Sequence, residues 1–422
     1  MTKPGQCRFC GTQLEHTFVD LGASPIANDY RNVPQLSQME PFYPLHIKVC
    51  DRCLLVQVAD CISARQIFSD SYAYFSSFSD SWLAHAKAYV EMITGRLKLG
   101  AQHHVIEVAC NDGYLLQYFV AKGIPVLGIE PTANTAAAAA KKGIPTVVKF
   151  LGEDTARDLA RGGRQADLLI GNNVLAHVPD INDFVEGLRL LLKPKGVLTM
   201  EFPHLLRLMA DNQFDTMYHE HYQYLSLLVV EKIFNAHGLA VFDVEELATH
   251  GGSLRVYARL TSNESEPCAP RVEDLRRREL AAGYDRLSTY LSFTERVKET
   301  KRRLLDFLIA AKRNGKTIVG YGAPAKGNTL LNYCGVRTDF IDYTVDRSPH
   351  KQQLFLPGTH IPIHHPDRIR ETKPDYVLIL PWNIKEEIMQ QMAFIHEWGG
   401  EFVVPIPEVR TYPSRGTSVS PR

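Results

Sequence analysis

The sequence predicts an α/β fold centred on a doubly wound parallel sheet. Short apolar runs that fit β-strands lie at 104–109, 125–130, 166–171 and 196–202. Helical stretches lie between them, for example at 132–142 and 180–192. Strands that are apolar on both faces and alternate with helices are typical of a parallel sheet covered on both sides.

A restart of this alternation near the C-terminus indicates a second, smaller open α/β unit. Its strand-like runs lie at 316–328, 339–346 and 375–382. The polar stretch TSNESEPCAP precedes this region and is typical of a linker. We therefore predict three domains, and their boundaries are 1–70, 71–262 and 271–410.

The composition argues against several classes of protein. The chain has 422 residues, enough for two or three domains, and Lys+Arg and Asp+Glu each total 47. A formal net charge of zero argues against a nucleic-acid-binding protein, which is normally basic. No apolar run reaches the ~20 residues that span a bilayer. The first residues, MTKPGQCRFC, contain no apolar secretion signal, so we expect a cytoplasmic protein without membrane partners.

Two C-x2-C pairs predict a structural zinc site. Cys7 and Cys10 form CRFC, and Cys50 and Cys53 form CDRC. In a reducing compartment, two such pairs are the ligand set of a tetrahedral zinc ion held by four thiolates. Four thiolates leave no open coordination position, so this metal would fold the N-terminal module rather than catalyse a reaction. The alternatives are a redox C-x2-C motif, against which the duplication argues, and four unconnected thiols.

A strand–turn–helix sequence, VIEVACNDGYLLQYF, predicts a cofactor site. Glu107 lies inside the strand, and the turn consists of Asn111, Asp112 and Gly113. Gly113 permits close approach of the backbone to a ligand. The turn lacks the second and third glycines of a dinucleotide pyrophosphate fingerprint. A cofactor without phosphates therefore fits this turn better than a dinucleotide.

Polar residues at the ends of the following strands extend this site. Glu130, followed by Pro131, ends the next strand about 20 residues after the turn, a position that suits a ribose diol. Asn172 and Asn173 end a further strand, at the carboxyl edge of the predicted sheet. Together these residues are similar to the S-adenosylmethionine (SAM) site of a class I methyltransferase. The alternative is a generic turn on a doubly wound sheet.

The segment MYHEHYQYLS concentrates groups that can move or hold a proton. His219 and His221 flank Glu220, and three tyrosines surround them. Such a cluster is rarely needed for folding alone, and it fits either acid–base catalysis or metal binding. A metal-dependent hydrolase or lyase that uses HEH as its metal motif is therefore a competing interpretation, and a non-catalytic binding module is another.

Six motifs occur in an order that resembles one enzyme family. They are the two cysteine pairs, EVACNDGYLL, NNVLAHVPDINDF, MYHEHYQYLS, GGSLRVYA and YGAPAKGNTLLNY. In this order they resemble the bacterial nucleotide-sugar C-methyltransferases, which branch deoxysugars for antibiotic glycosylation, and the likeness covers nearly the whole chain. The resemblance implies a zinc module, a methyltransferase domain and a C-terminal Rossmann-like domain. Nothing in the sequence demands more than a monomer.

The same resemblance implies the reaction. A methyl group would pass from SAM to a carbon next to the 4-keto group of a dTDP-linked deoxyhexose, after deprotonation to an enolate. The carbon would be C3, with C5 as the alternative. His221 would be the base, since the pKa of histidine lies near neutral pH. Glu220 and Tyr218 would lie beside it and arrange the imidazole or the sugar, whereas His219 is expected to be a structural histidine.

Two further residues enter the active site by this resemblance. His177, in NNVLAHVPD, would donate a hydrogen bond to the developing oxyanion, and its alternative role is a cap of the next helix. Tyr72 would be an active-site tyrosine. Tyr74 is the alternative for this role, and core packing is the alternative for both tyrosines.

The resemblance assigns the nucleotide diphosphate to the C-terminal domain. YGAPAKGNT combines a strand end, a turn of small residues and a helix start, which can cradle an anion. The candidate contacts are Ala323, Lys326, Gly327 and Asn328, and the alternative is a tight turn with a surface lysine. Arg255, in GGSLRVYA, is a further candidate for a phosphate or substrate contact, although it could equally be a charge on a strand surface.

Overall fold

The computed structural model of the chain describes residues 5–59 and 75–413. Contacts within the chain divide it into two compact units. The first unit consists of Met1–His16, Val49–Leu206 and Glu220–Thr289, and the second consists of Thr17–Lys48, Arg207–His219 and Tyr290–Arg422. The domain boundaries 1–70, 71–262 and 271–410 stay a prediction.

The described residues contain short and medium-length strands throughout the chain. They are β1 (His16–Ser24), β2 (Tyr43–Val49), β3 (Val56–Val58), β4 (Val105–Val108), β5 (Val126–Ile129), β6 (Thr146–Val147), β7 (Ala166–Asn172), β8 (Leu192–Pro203), β9 (Gln223–Tyr224), β10 (Leu239–Leu247), β11 (Ser253–Leu260), β12 (Ile318–Tyr321), β13 (Thr344–Val345), β14 (Ile363–His364), β15 (Tyr376–Ile379), β16 (Glu401–Val404) and β17 (Arg410–Tyr412).

Helices alternate with these strands. The α-helices are α1 (Asp80–Leu97), α2 (Leu116–Val120), α3 (Ala133–Lys141), α4 (Glu153–Arg161), α5 (Ile181–Leu191), α6 (Leu205–Ala210), α7 (Leu227–Ala236), α8 (Pro270–Ala281), α9 (Leu287–Leu291), α10 (Phe293–Arg313), α11 (Ala325–Cys334), α12 (Arg368–Thr372) and α13 (Lys385–Gln391). Short 3-10 helices occupy Val33–Ser37, Ser76–Phe78, Leu175–His177, Phe214–Thr216, Thr249–Gly251, Trp382–Ile384 and Ala393–Trp398. None of the described helices is long and apolar enough to cross a bilayer.

The first unit contains a seven-stranded sheet with the order β10-β11-β8-β7-β4-β5-β6. The strands from β4 to β8 pair in parallel, and β11 and β10 add an antiparallel edge. The predicted doubly wound α/β sheet is thus confirmed. The strand order reverses at β4, which has β5 on one side and β7 on the other. Open α/β sheets bind ligands at such a switch point, outside the carboxyl ends of the strands.

Helix α1 packs into the core of this sheet through one apolar face. Ser79 caps its start by accepting a hydrogen bond from the Trp82 amide. The buried side chains of the helix recur at helical spacing and join a hydrophobic cluster with residues of β4, β7 and β8. This packing fixes the orientation of the helix that carries Trp82 and His85, two residues of the site described below.

A short strand pair joins N-terminal residues of the first unit to the MYHEHYQYLS segment. β3 pairs antiparallel with β9, so that Val56 lies opposite Tyr224 and Gln57 lies opposite Gln223. Because β9 belongs to that segment, the pairing anchors it from the side of the cysteine-rich region.

The second unit contains a six-stranded sheet with the order β14-β13-β12-β15-β16-β17. Its first five strands pair in parallel, and β17 is antiparallel. The expected second open α/β sheet is therefore present. The predicted run 316–328 covers β12 and the start of α11, and the run 375–382 covers β15, whereas only two residues of the run 339–346 form a strand.

Candidate active site

The turn after β4 has an uncommon backbone conformation. Ala109 and Asn111 have φ values of 56° and 50°, in the left-handed region that favours glycine, and Gly113 has a φ of 76°. A side chain at Gly113 would also overlap Ile144. Residues in such conformations persist only where the surrounding structure holds them, and they concentrate at ligand sites.

Buried polar atoms surround this turn. The side chains of Glu107 and Asn172 are buried, and each lies within reach of the Tyr114 hydroxyl. Burial raises the pKa of Glu107, a hydrogen bond with Tyr114 offsets part of this effect, and the charges of Glu130 and Asp112 raise the pKa further. A buried carboxylate is costly, and a bound cation would relieve that cost. SAM carries an ammonium and a sulfonium, so this donor set fits SAM.

Glu130 supports the turn from the neighbouring strand. One of its oxygens accepts a hydrogen bond from the Asn111 amide at 2.9 Å, and the other accepts one from the Thr132 amide at 2.9 Å. The Thr132 hydroxyl donates a third hydrogen bond to the carboxylate, at 2.5 Å. An ionised carboxylate can accept about four hydrogen bonds, so these three leave capacity for one from a ribose. The cofactor contacts assigned to Glu130 and Pro131 stay predictions.

Asn173 and His250 form a second strained pair, beside the end of β7. Their φ values are 53° and 55°. The side-chain nitrogen of Asn173 lies 2.9 Å from Nε2 of His250, and the Asn173 amide donates a hydrogen bond to the carbonyl of Glu201 at 2.7 Å. His250 was not a candidate from the sequence, although the glycine pair that follows it is a signal of an unusual turn.

Glu201 is the centre of a buried ion-pair network at the end of β8. Nε2 of His85 lies 3.0 Å from each of its oxygens, and Nη2 of Arg255 donates a hydrogen bond to it at 2.8 Å. The Thr249 hydroxyl donates another at 3.0 Å. Burial raises the pKa of Glu201, but His85 and Arg255 outweigh burial and hold that pKa below its ordinary value. Glu201 is therefore a carboxylate at neutral pH.

The sequence contained one signal for this network. Glu201 lies in the apolar run GVLTMEF, and a charge in a buried strand needs a partner or a function. His85 offered no such signal, because it lies in an ordinary helical stretch.

Arg255 is committed to the same network. Besides Glu201, its guanidinium donates a hydrogen bond to Glu245 at 3.0 Å and lies over the ring of Tyr89, with 4.5 Å between guanidinium carbon and ring centroid. Its charge is thus matched by two carboxylates, and its contacts hold Glu201 in place. That Arg255 also contacts a phosphate or the substrate stays a prediction.

Trp82 links the network to the cofactor turn. Its ring stacks on His85 and on Tyr114, with centroid distances of 5.0 and 5.8 Å, and lies tilted against His250 at 5.1 Å. The imidazole of His85 is therefore fixed both by a carboxylate and by an aromatic ring.

His177 and His221 contact each other in the first unit. Their rings are edge to face, with centroids 4.6 Å apart. Burial lowers the pKa of His177 to about 4, and a hydrogen bond with the backbone of Glu220 offsets part of this effect. His177 is therefore neutral at neutral pH. The sequence did not show that these two histidines would meet, and their shared role was implied only by the family resemblance.

The remaining residues of the MYHEHYQYLS segment divide between the units. Glu220 is buried in the first unit, whereas Tyr218 and His219 belong to the second. Nε2 of His219 lies 3.2 Å from the carbonyl of Pro44, its ring contacts Tyr43, and burial lowers its pKa. These are the contacts of a packed, structural histidine. Tyr72 and Tyr74 lie outside the described residues.

The four predicted zinc ligands meet in the first unit. The sulfur atoms of Cys7, Cys10, Cys50 and Cys53 all lie within 4.8 Å of one another, and the pairs Cys7–Cys53 and Cys10–Cys50 are each separated by 3.5 Å. Zinc–sulfur bonds of about 2.3 Å in a tetrahedron require sulfur–sulfur distances of about 3.8 Å. The donor set therefore fits zinc.

Crowding of these thiols favours a bound cation. Hydrogen bonds from Cys50 and Cys53 lower the pKa of Cys7 to about 3, and contacts with Cys50 and Cys7 raise the pKa of Cys53. Four thiolates cannot coexist at this distance without a positive charge between them, because their mutual repulsion is large. A divalent ion supplies that charge.

Lys326 lies at the start of α11 in the second unit. Its ammonium donates a hydrogen bond to Oδ1 of Asn383 at 2.7 Å and lies 4.5 Å from the ring centroid of Trp382. Burial lowers the pKa of Lys326. Asp215 accepts a hydrogen bond from the Trp382 indole at 2.7 Å, and burial raises the pKa of Asp215 to about 6. Lys326 is thus a lysine held by an amide and an indole face.

The other candidates in YGAPAKGNT have partners within the second unit. The Ala323 amide donates a hydrogen bond to Asp346 at 2.8 Å, and the side chain of Asn328 donates one to the carbonyl of Ala27 at 2.6 Å. A side chain at Gly327 would crowd Leu380, so this glycine permits close packing of α11 on the sheet. That these residues contact a phosphate stays a prediction.

Three protein-family models match successive parts of the chain. A model described as "Putative zinc binding domain" matches 7–68, a methyltransferase domain matches 83–244, and a C-methyltransferase C-terminal domain matches 248–407.

Individual proteins match over different lengths. The C-methyltransferase NovU of Streptomyces niveus is 33% identical over 412 residues, which are 98% of this chain and 98% of that protein. A ubiquinone biosynthesis O-methyltransferase of Rhizobium etli is 26% identical over 155 residues, covering 33% of this chain and 60% of that protein. Among solved structures, a SAM-dependent methyltransferase of Clostridium acetobutylicum matches 41% of this chain and 90% of its own, with 12% identity and a TM-score of 0.34.

Proposed function

This chain belongs to the family of SAM-dependent C-methyltransferases, and we propose that it methylates the carbon next to the 4-keto group of a dTDP-linked deoxyhexose. C3 is the proposed acceptor and C5 the alternative, and the product would be a branched deoxysugar for antibiotic biosynthesis. A sugar carbon becomes a nucleophile only when it loses a proton, which the neighbouring ketone permits by delocalising the charge as an enolate. Such a reaction needs a base, a donor to the enolate oxygen and a well-placed methyl donor.

The contact between His177 and His221 carries this proposal. Two imidazoles so close cannot both be protonated without strong repulsion. Because burial keeps the pKa of His177 low, His177 stays neutral, and no charge on His177 opposes protonation of His221. A neutral imidazole can also donate a hydrogen bond to an enolate oxygen without first losing charge. The pair thus supplies both a base and an oxyanion donor.

For a C3 acceptor, the proposed reaction consists of deprotonation followed by methyl transfer. His221 removes the C3 proton, and the electron pair of the broken carbon–hydrogen bond enters the enolate. That pair then forms the new carbon–carbon bond to the methyl group that SAM supplies, and the carbon–sulfur pair stays on sulfur. His221 later releases its proton to solvent. Glu220, Tyr218 and Tyr72 are proposed to orient the base or the sugar.

Residues at the carboxyl edge of β4, β5 and β7 are proposed to hold SAM. Glu107 and Asn172 would bind its amino-acid end, since both are buried at the cofactor turn and a cation would offset the cost of burying the carboxylate. Glu130 would bind the ribose. The remaining proposed contacts are Asn111, Asp112, Gly113, Pro131 and Asn173.

Lys326 is the proposed contact for the nucleotide diphosphate in the second unit. Its ammonium contacts an amide oxygen and an aromatic ring, and the charge of Asp215 favours its protonated form, so it can attract an anion. The N-terminus of α11 adds positive potential at the same position. Ala323, Gly327 and Asn328 would shape the turn around it.

A metal-dependent hydrolase finds no support in the described residues. There, the group of side chains arranged to hold a metal ion is the cysteine quartet, and neither His219 nor His221 belongs to such a group.

Proton exchange followed by product assignment tests the proposal. The enzyme is mixed in D2O with a small panel of dTDP-4-keto sugars, and NMR follows deuterium incorporation at C3 and C5. Labelled SAM is then added, and the methylated carbon is assigned by mass spectrometry and NMR. We expect exchange and methylation at C3 with at least one sugar. Turnover of SAM on an acceptor without a ketone would contradict the proposal.

A further inference from the structure

Arg8 lies between the two cysteines of the first C-x2-C pair and is almost fully buried, with 2% of its surface exposed. Its amide donates a hydrogen bond to Oε1 of Gln57 at 2.9 Å, and its carbonyl accepts one from Asn182 at 3.1 Å. The knuckle that would wrap the metal is therefore bonded on one side to β3 and on the other to α5.

The side chain of Arg8 points from this knuckle to the segment of the proposed base. Nη2 donates a hydrogen bond to the carbonyl of Val58 at 2.8 Å, and the guanidinium carbon lies 4.9 Å from the ring centroid of Tyr222. The quadrupole of an aromatic ring attracts a guanidinium above its face, and more strongly where both are desolvated. Because Tyr222 directly follows His221, Arg8 restrains the residue next to the base.

The backbone of Tyr222 continues this connection to His177. The Val58 amide donates a hydrogen bond to the carbonyl of Tyr222 at 3.0 Å, and the Tyr222 amide donates one to the carbonyl of Ala176 at 2.8 Å. Ala176 directly precedes His177. Tyr222 is thus fastened between the cysteine-rich region and the turn that carries the second histidine.

Two buried glutamines form a second connection between the first knuckle and the His177 turn. Gln57 and Gln223 lie opposite each other in the β3–β9 pair and expose 1% and 0% of their surface. The amide nitrogen of Gln57 donates to Sγ of Cys7 at 3.3 Å. That of Gln223 donates to the carbonyls of Leu175 and Val178, at 2.5 and 3.1 Å, on either side of His177. Hydrogen bonds therefore tie the first knuckle and the His177 turn to the two strands of the same pair.

We propose that Arg8 is a positioning residue for methyl transfer: the metal-bound knuckle fixes Arg8, and Arg8 acts through Tyr222, alongside Gln57 and Gln223, to set the separation of His177 and His221. This inference rests on the proposed role of His221 as the base. Buried hydrogen bonds fix the groups that they join, and a misplacement of about 1 Å at a reacting group can cost about a hundredfold in rate. The zinc module would then act on the rate of the reaction as well as on folding.

Three variants of the full chain test the proposal. Arg8→Met removes the hydrogen bond and the charge over Tyr222 while keeping much of the volume. Arg8→Lys keeps the charge and is the rescue variant. Arg52→Met changes the arginine of the second knuckle, which is exposed, and serves as the matched control.

We expect Arg8→Met to lower kcat on the order of tenfold to a hundredfold. Zinc content and the Kd for SAM should stay at the wild-type values, because the four cysteines and the cofactor turn are untouched. Amide hydrogen exchange should accelerate at 175–178 and 221–224. Arg8→Lys should recover part of kcat, and Arg52→Met should match the wild type.

A double-mutant cycle provides a second measurement if Arg8→Met loses zinc. Gln223→Met removes the two hydrogen bonds to the carbonyls of Leu175 and Val178 and leaves the knuckle unchanged. If both residues position the same histidine pair, the double variant should lose less than the product of the two single losses.

Defined results would overturn the inference. Wild-type kcat and wild-type exchange in Arg8→Met would do so, as would independent losses in the double-mutant cycle. The exchange measurement does not depend on the chemistry of His221. Faster exchange at 175–178 in Arg8→Met, together with full activity of a His221 variant, would retain the link and reject only the proposed base.

Discussion

Two side-chain pairs of the first unit, His177–His221 and His85–Glu201, are built in opposite ways. His177 lies against another imidazole, and burial lowers its pKa to about 4. His85 lies 3.0 Å from both oxygens of Glu201, which Arg255 also contacts. In the His177–His221 pair, at least one imidazole stays neutral. The His85–Glu201 pair is part of a network in which positive and negative charges are matched.

This difference separates two tasks that a histidine can perform. An imidazole beside a neutral imidazole can gain a proton during a reaction, because the neighbouring ring carries no positive charge that would repel it. An imidazole bonded to a buried carboxylate and stacked on Trp82 is held in one orientation. We therefore expect His221 to act in the chemistry, and the His85–Glu201 pair to hold the protein around it.

The largest expected effect is on turnover in His221→Asn. Loss of a general base typically costs about 10²–10⁴-fold in rate, and SAM binding measured by calorimetry should not change. His219→Asn is the matched control in the same segment and should keep turnover within a few-fold. Near-normal turnover in His221→Asn would show that His221 is not the base and that the two pairs do not differ in this respect.

Glu201→Gln should have the largest effect on stability. It leaves the buried guanidinium of Arg255 without one of its two carboxylates, and breaking a buried ion pair typically costs about 3–5 kcal/mol. Urea unfolding followed by circular dichroism measures this loss. Glu246→Gln removes a partly exposed partner of Arg278 and should cost less than about 1 kcal/mol. Equal losses in the two variants would mean that burial of Glu201 matters little.

His177 should make the free energy of unfolding depend on pH. Its pKa is about 4 in the folded protein and about 6.5 in the unfolded chain, so the unfolded chain binds more protons between these values. Stability is therefore lost as pH falls from about 6.5 towards 4, by about 2 kcal/mol at pH 5. The measurement is urea unfolding at about pH 7.5 and pH 5.

The variant His177→Asn is the control for this pH dependence. In this variant, the difference between the free energies of unfolding at the two pH values should be smaller than in the wild type by about 2 kcal/mol. An unchanged difference would show that His177 titrates normally in the folded protein.

The smallest expected effect belongs to His85→Asn. Glu201 keeps its bonds from Arg255 and Thr249, so the variant loses one charge-assisted hydrogen bond, worth about 1.5 kcal/mol. Turnover should fall less than about tenfold, measured with labelled SAM under the conditions used for His221→Asn. If turnover fell as much in His85→Asn as in His221→Asn, His85, which is bonded to Glu201, would be the better candidate for the base.

Patterns within a few residues were enough to predict much of the fold and one edge of the site. The apolar runs marked the central strands, the cysteine spacing marked the metal site, and the turn with Gly113 marked the switch point of the sheet, because each signal is local. Strands such as β13 and β14 contain two residues and are too short to show a period.

Contacts between distant segments were beyond such patterns. His85 and Glu201 are 116 positions apart, and nothing in either segment specifies that α1 will lie across the end of β8. The meeting of His177 and His221 depends on the pairing of β3 with β9, two strands of two or three residues. The division of the HEH motif, with His219 in one unit and His221 in the other, likewise has no local signal.

The interleaving of the two units along the chain sets an order of events during synthesis. A ribosome that has released Thr289 has supplied every residue of the first unit, whereas the second lacks everything from Tyr290 onward. Domains generally fold as units, so the first unit can be complete in sequence, and begin to fold, before the second is. A chain that ends within the last stretch therefore contains every residue of the first unit but only part of the second.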